Sequence, residues 1–295
     1  MVELRTERRY QRGAPALKEY EMNKLARWGL TMPATIAVVL LLVIPVVLTI
    51  ATTFGEAAGP FSTYTAFFKS GFRMAVLYRT LQVALITTGI ALVVGFITAY
   101  VIAQMPGRLK SIMIVAAVFP LLTGVVVRSF AWLIILGKNG IINNALMSVG
   151  LIGEPLSMLY TQGSVIVAMV YLFVPLMILT LVGVLEGIPR DLIEAATSLG
   201  ARPIPTFLQV ILPLAAPGLI VGAVLVFTGS FTSYATPQLL GGEKQMMMGT
   251  FLYQRAMVTF DWVGASTIAA IMVIITIGVV LIMSRMARRL NPMAV

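Results

Sequence analysis

The sequence predicts an all-α integral membrane protein with six transmembrane helices and a short amphipathic surface helix between the fourth and the fifth. Three observations lead to this fold class. Apolar residues make up 59% of the 295, charged residues only 11%, and mean hydropathy is +0.97, which leaves too little polar surface to clothe a soluble domain. Six hydrophobic segments each reach the roughly 20 residues needed to cross a bilayer. The Lys and Arg residues lie almost entirely between these segments, as membrane topology requires.

Residues 1–27 are polar and carry Arg5, Arg8, Arg9, Arg12, Lys18, Lys24 and Arg27 against Glu3, Glu7, Glu19 and Glu21; they read as a cytoplasmic tail. Trp28 to Phe54 is long enough to span and runs straight into a loop. It is therefore expected as an uncleaved first helix rather than a signal peptide, although Ala51 and Gly55 would suit a cleavage site. The other five segments are Thr80 to Met105, Ser111 to Leu136, Ser164 to Leu185, Leu214 to Leu240, and Gly264 to Met283. The predicted organisation is a single membrane domain over 28–286, with an inner loop at 187–213 and a C-terminal tail at 287–295.

With the N-terminus inside, the inner segments add Arg108, Lys110, Arg190, Arg202, Arg285, Arg288 and Arg289 to the seven basic residues of the tail. The outer loops hold only Lys69, Arg73, Arg79, Lys138, Lys244 and Arg255, and Arg128 alone falls inside a span. That bias places both termini and the 187–213 loop in the cytoplasm. The outer connections, 55–79, 137–163 and 241–263, are long, whereas the inner link at Pro106-Gly107-Arg108 is tight. Asn143 to Leu151 suits a short surface helix. Met246-Met247-Met248 with Phe251, Tyr253 and Met257 reads as a soft apolar stretch, either lying on lipid or receiving an outer contact.

The absence of Cys and His excludes disulfides, thiol chemistry, histidine metal sites and histidine proton relays. No phosphate-cradling loop is present, since Gly137-Lys138-Asn139 fails the pattern. Any nucleotide would have to be held by another chain. The net charge of +10 is no sign of nucleic-acid binding, because the basic residues flank hydrophobic runs instead of forming a patch on a soluble body.

The inner loop is the most informative stretch. Pro189 can open a helix and Gly200 can close it, and Leu192, Ala195, Ala196 and Leu199 share a face. Small alanines admit a close partner, with Glu194 at the rim, so the helix reads as a docking knob. The spacing Glu194-Ala195-Ala196, three residues, Gly200, nine residues, Val210, one residue, Leu212-Pro213 resembles the signature loop of ABC-importer permeases of the binding-protein-dependent transport family. Val210 stands where that family usually has Ile.

This resemblance implies a cytoplasmic coupling helix fitting a groove on an ATP-hydrolysing subunit, with Glu194, Ala195, Ala196, Leu199, Gly200, Leu212 and Pro213 as coupling residues. It also implies that the chain itself is no enzyme and holds no cofactor, ATP and Mg being carried by an ABC ATPase dimer. The expected further partners are a second permease, similar but not identical, and an outer solute-binding protein. The expected location is a bacterial inner membrane, and the expected mechanism alternating access.

Arg128-Ser129-Phe130-Ala131-Trp132 with Gly137, Gly140 and Asn143, and Gly241-Gly242 with Asp261-Trp262, resemble the polyamine and opine branch of the family. An arginine inside a span costs roughly 2.5 to 3.5 kcal/mol on insertion scales. Arg128 therefore either faces a solute path or subunit contact, or snorkels outward over the roughly 12 Å to Leu136. Trp132, Tyr171, Phe231, Ser233 and Tyr234 are further candidates for a translocation path. Pro45, Pro120, Pro175 and Pro217 favour kinks, and Gly218 with Gly222 marks close packing.

Spans two to six lack interior carboxylates. A cation would meet aromatic and hydroxyl groups there, whereas an anionic or zwitterionic amino-acid-like solute suits Arg128; the branch resemblance favours a polyamine-like solute. The rival expectation is an ion-coupled secondary transporter working without an ATPase, which would normally place an ionisable or broken-helix site at the midplane.

Overall fold

The computed structural model describes residues 24–54, 59 and 61–290, and all regular structure among them is helical. The N-terminal tail to residue 23 and residues 291–295 lie outside the described residues. Two compact units are present, one ending at Ala51 and the other beginning at Thr52. Among the described residues, six helical stretches are long and apolar enough to cross a membrane.

In the first unit α1 (Lys24–Val38) passes through a π turn at Val39–Val43 into α2 (Ile44–Thr52). Pro45 lies two residues beyond that turn. A proline inside a helix removes one donor and pushes its ring at the carbonyl four residues back, and a widened turn relieves the crowding. Thr35 and Thr49 donate their hydroxyl protons to the carbonyls of Thr31 and Pro45, at 2.9 and 2.7 Å, so neither hydroxyl needs water at membrane depth.

The second unit comprises α3 (Ser62–Lys69), α4 (Gly71–Ala103), α5 (Gly107–Leu122), α6 (Val125–Leu136), α7 (Ile141–Ser148), α8 (Gln162–Glu186), α9 (Arg190–Ser198), α10 (Pro203–Thr206), α11 (Leu212–Thr232), α12 (Ala235–Leu240), α13 (Met248–Tyr253) and α14 (Trp262–Leu290). Helices α4, α8 and α11 form its centre. Gln82 meets Gln162, and Gly95 lies against Met177, so α4 and α8 run parallel. Gly218 lies against Val184 and Gly229 against Phe173, so α11 runs antiparallel to both.

Glycines set how closely these helices approach. A Cβ placed on Gly95 would stand 2.5 Å from Met177 Cγ and 2.9 Å from its Cβ; one on Gly222 would stand 2.5 Å from Met177 Sδ. Met177 is thus clasped between α4 and α11 and is fully buried. The small-residue pair expected at Gly218 and Gly222 extends to Gly229, where an added Cβ would lie 2.5 Å from the Phe173 ring. Pro175 and Pro217 sit inside α8 and α11 without interrupting them.

Two spans depart from the expected boundaries because the chain breaks inside apolar sequence. The segment Ser111 to Leu136 is not one helix: it divides at Thr123 and Gly124, both with extended backbone. Both halves are needed to cross. α5 packs Met113, Ile114 and Ala117 on the cluster that holds Leu185, and Lys110 pairs with Glu186 at the end of α8. α6 packs on α12, whose terminal Leu240 carbonyl accepts the Ser164 hydroxyl at the start of α8. Together α5 and α6 therefore follow the whole of α8, about 37 Å at 1.5 Å per residue. The alternative apolar stretch Val125–Ser148 is interrupted by extended backbone at Gly137.

The fifth span likewise ends at Thr232 rather than Leu240, since Ser233 is extended and α12 starts afresh. At its other end the helix continues back through a π turn at Phe207–Ile211 to Pro203. Once more the widened turn stands two residues ahead of a proline, Pro213. The second span begins at Gly71, earlier than expected, which shortens the first outer connection.

The glycines predict unequal costs. Gly222→Ala meets only the mobile thioether end of Met177, whereas Gly95→Ala meets its Cγ and Cβ, which cannot withdraw without moving α8. Gly95→Ala should destabilise by about 1–3 kcal/mol, the usual range for overpacking, and Gly222→Ala by clearly less. Thermal unfolding in mild detergent, followed by intrinsic fluorescence, measures both.

Candidate functional site: the inner-end helix and the membrane-depth residues

Helix α9 forms because Pro189, with φ −59°, presets its entry and Asp191 places negative charge in its first turn. Its stop is equally specific. Gly200 takes φ +84°, its N–H donates to the Thr197 carbonyl at 2.9 Å, and the Ala201 N–H donates to the Ala196 carbonyl at 3.0 Å. These two bonds make a Schellman ending, in which a left-handed residue lets the chain turn back and satisfy the last carbonyls. No atom lies within 4 Å of a Cβ built on Gly200, so glycine is required by conformation and not by crowding.

The helix has two distinct faces. Leu192, Ala195 and Leu199 are exposed, Leu199 to 90%, which for leucine at the polar end of a membrane bundle marks an unpartnered apolar surface. Ile193 turns the other way and packs against the cluster of Leu185, Ile211 and Met177. The sequence pattern grouped Leu192, Ala195 and Leu199 with Ala196, which is half-buried instead, and missed Ile193; the apolar character of Ile193, 100° round the helix from Leu192, was the available signal.

Around α9 the supporting residues are tightly held. Phe207 in the π turn lies 5.0 Å from the Phe96 ring and 4.9 Å from Tyr100. Leu212 packs on the same cluster, while Pro213 is exposed at the second position of α11. Glu194 is exposed and lines an open cleft of about 610 Å³ behind α9 with Tyr100, Gln104, Lys110 and Glu186. Across that cleft Lys110 Nζ stands 2.9 Å from Glu186 Oε1.

The membrane-depth candidates fall in separate places. Arg128 neither snorkels nor faces an open route in this structure: it is buried and donates from one guanidinium nitrogen to the carbonyls of Pro120, at 2.8 Å, and Thr123, at 3.4 Å. The break after α5 removes their helical donors; the Thr123 hydroxyl also donates to the Pro120 carbonyl at 2.8 Å, and a cation there complements the negative end of the helix. Trp132 meets Tyr171 edge to face at 5.6 Å. Phe231 is fully buried and stacked on Phe227 at 5.5 Å. Ser233 ends α11, and Tyr234 stacks on Tyr253 at 4.4 Å beside an apolar cleft of about 450 Å³.

Of the soft apolar stretch the sequence suggested, Tyr253 and Met257 are exposed, whereas Met247, Met248 and Phe251 turn inward. Met247 and Met248 are fully buried, because the Thr80 hydroxyl accepts the Met248 N–H at 2.9 Å and Arg79 donates to the Met246 carbonyl at 3.1 Å. With its backbone satisfied, this segment folds inward. The short surface helix expected at Asn143 to Leu151 is α7, and buried Asn143 holds it by bonds to the Gly137 carbonyl and to both backbone groups of Leu156.

Residues 32–294 match the family described as binding-protein-dependent transport system inner membrane component. The chain belongs to this family. This permease is 32% identical over 216 residues to the spermidine/putrescine transport system permease protein PotB of Escherichia coli (strain K12), a match covering 73% of this chain and 78% of that one. A bacterial alginate ABC transporter solved in complex with an alginate pentasaccharide-bound periplasmic protein shares its fold, with a TM-score of 0.75 at 17% identity over 90% of this chain and 94% of that one. The MetNI methionine ABC transporter in an inward-facing conformation gives a TM-score of 0.58 at 19% identity over 75% and 99% of the two chains. The permease is a multi-pass inner-membrane subunit of an ABC importer.

The two faces of α9 predict a split. Ile193→Ala should lower stability by about 1–2 kcal/mol, less than a full core truncation because Ile193 is half-buried, while Leu199→Ala should leave the unfolding midpoint unchanged. Thermal melts of the two purified variants check this.

Proposed function

We infer that this permease admits a polyamine-like solute, or an opine- or amino-acid-like one, to the cytoplasm by alternating access, with α9 as its coupling helix. The observation that carries the reading is the pair of faces on α9: an exposed apolar surface at Leu192, Ala195 and Leu199, backed by Ile193 set into the cluster shared with α8 and α11. A helix so mounted passes a push on its outer face directly to two spans. Its stop at Gly200 and the short link through α10 to Pro213 keep that connection stiff.

Docking requires a partner, and an ABC ATPase dimer supplies it; ATP and Mg are held there, this chain lacking a phosphate-binding loop. A second permease, similar but not identical, completes the pathway, and an outer solute-binding protein delivers the solute. Both termini and α9 then lie in the cytoplasm, as the distribution of Lys and Arg favours.

A polyamine-like solute is favoured by the name of the PotB relative and by chemistry. Arg128 is committed to the carbonyls of Pro120 and Thr123, whereas the Tyr234–Tyr253 and Trp132–Tyr171 pairs present aromatic faces to a cation.

The test is co-purification with the ATPase and ATP-driven uptake in proteoliposomes, for the wild type and for Leu199→Asp and Glu194→Lys. Both positions are exposed, so folding should survive. ATPase association and uptake should fall by about tenfold or more, the loss expected when a central docking residue is disrupted. Uptake that persists in both variants, or proceeds with no ATPase present, would overturn the reading in favour of an ion-coupled secondary transporter.

A further inference from the structure

At the inner end of the bundle one ion pair joins two helices through charges that suit neither of them. α8 closes on Glu186 with no basic residue in its last turn, and α5 opens with Arg108 and Lys110 and no acidic residue in its first. Helix dipoles favour the reverse, cations at C-terminal ends and anions at N-terminal ends. Each charge is unfavourable for its own helix. The bias of Lys and Arg toward the cytoplasm accounts for a cation on this side, but it gives no reason for a carboxylate here. Each compensates the other, with Lys110 Nζ 2.9 Å from Glu186 Oε1.

The place of the pair in the chain gives it leverage. Glu186 is the last residue of α8, and only Gly187, Ile188 and Pro189 separate it from α9. Ile188 and Ile193 pack on the central cluster, but the open cleft of about 610 Å³ lies between α9 and the inner ends of α4, α5 and α8. Packing does not fill the space between α9 and the start of α5.

Further along, α5 meets the same cluster through Met113, Ile114 and Ala117, and apolar contacts of this kind are non-directional and permit sliding. A charge-assisted hydrogen bond does not, because it is short and needs a defined geometry. The ion pair therefore sets the register of α5 on the junction between α8 and α9, which apolar contact leaves free.

We propose that Lys110 and Glu186 are a positioning pair that ties α5 to the base of α9, so that a third span, besides α8 and α11, follows α9 when it is displaced. The proposal rests on the reading of α9 as the coupling helix. α5 is suited to follow, because extended backbone at Thr123 and Gly124 separates it from α6 and lets it tilt as a half-span. With side chains 24% and 43% exposed, the pair biases an equilibrium by about two- to fivefold. That is enough to favour one position of α5 and too little to lock it.

The test uses the full chain in lipid nanodiscs with no ATPase present. Because the sequence has no cysteine, Ser198→Cys on α9 and Val115→Cys on α5, both exposed positions, carry the only spin labels, and pulsed double electron–electron resonance reads the distance between them. Lys110→Met and Glu186→Gln should each raise the share of long distances about two- to fivefold. Neither should lower the unfolding midpoint, since each takes a charge from an unfavourable helix end. The exchange Lys110→Glu with Glu186→Lys should restore the narrow distribution and raise the midpoint, because both charges then agree with their helices. Unchanged distances in the single variants would mean that the pair positions nothing, and distances in the exchange variant as long as in the singles would mean that the two side chains act separately; either result overturns the proposal. Should a single variant also lower the midpoint, the exchange decides alone. Failure of the wild type to associate with an ATPase would count against α9 as a coupling helix, and these distances, which need no partner, would still decide the role of the pair.

Discussion

Apolar side chains in a bilayer gain little by leaving lipid for one another, so a helical bundle there is held by closeness of fit and by satisfied polar groups. One of the close fits at the centre of this permease is at Met177, clasped by Gly95 of α4 and Gly222 of α11. That side chain touches all three central helices, whose spacing it sets together with the contacts of Gly218 on Val184 and Gly229 on Phe173. It also belongs to the cluster containing Leu185 and Ile211, against which Ile193 seats the inner-end helix. Packing at the centre and mounting of α9 are therefore one continuous body of contacts, and displacement of α9 cannot be absorbed locally without disturbing the clasp around Met177.

The polar counterpart of this constraint appears wherever the backbone breaks. The chain ends α5 at Thr123 inside apolar sequence, and Arg128 returns to cover the carbonyls of Pro120 and Thr123, left without helical donors. The arginine and the break explain each other. A cation at this depth would be costly without acceptors, and Arg128 adds a donor to the Thr123 carbonyl and a second one to the Pro120 carbonyl, which the Thr123 hydroxyl also serves. Thr80 and Arg79 do the same for the inward-folded Met246 to Met248 segment, which lets two methionines join the core.

These pairings also show why part of the structure was legible in the sequence and part was not. Hydropathy and the flanking charges give the spans, because both report the lipid boundary. The stop at Gly200 was legible since only a residue at ease with positive φ ends a helix in that way. Breaks at Thr123 and Ser233 were not, because hydropathy registers side chains and is blind to a backbone turn inside an apolar run. Pro120 and Gly124 mark the first break only in company with Arg128, and that partnership spans eight residues and an extended interruption of the helix. Among the membrane-depth residues, Tyr234 was a fair choice on chemistry, yet its partner Tyr253 comes from a segment whose inward fold no periodicity announces.

The π turns add a final step. In both places where a widened turn stands two residues ahead of a proline, Val39–Val43 before Pro45 and Phe207–Ile211 before Pro213, the sequence resolves the same local conflict between proline and the helix ladder. At Pro213 the outcome matters for function, because the turn falls between α9 and the body of α11. Phe207 in that turn is gripped by Phe96 and Tyr100 of α4, and Ile211 is buried with Ile193 packed nearby. A regular helix would present these side chains at 100° intervals. The extra residue of a π turn shifts that phase, so that α11 can offer its glycine stripe to α8 while the turn beneath it faces α4. The proline is thus the local cause of a geometry that lets one helix serve two neighbours, and it lies at the point through which motion of α9 must pass.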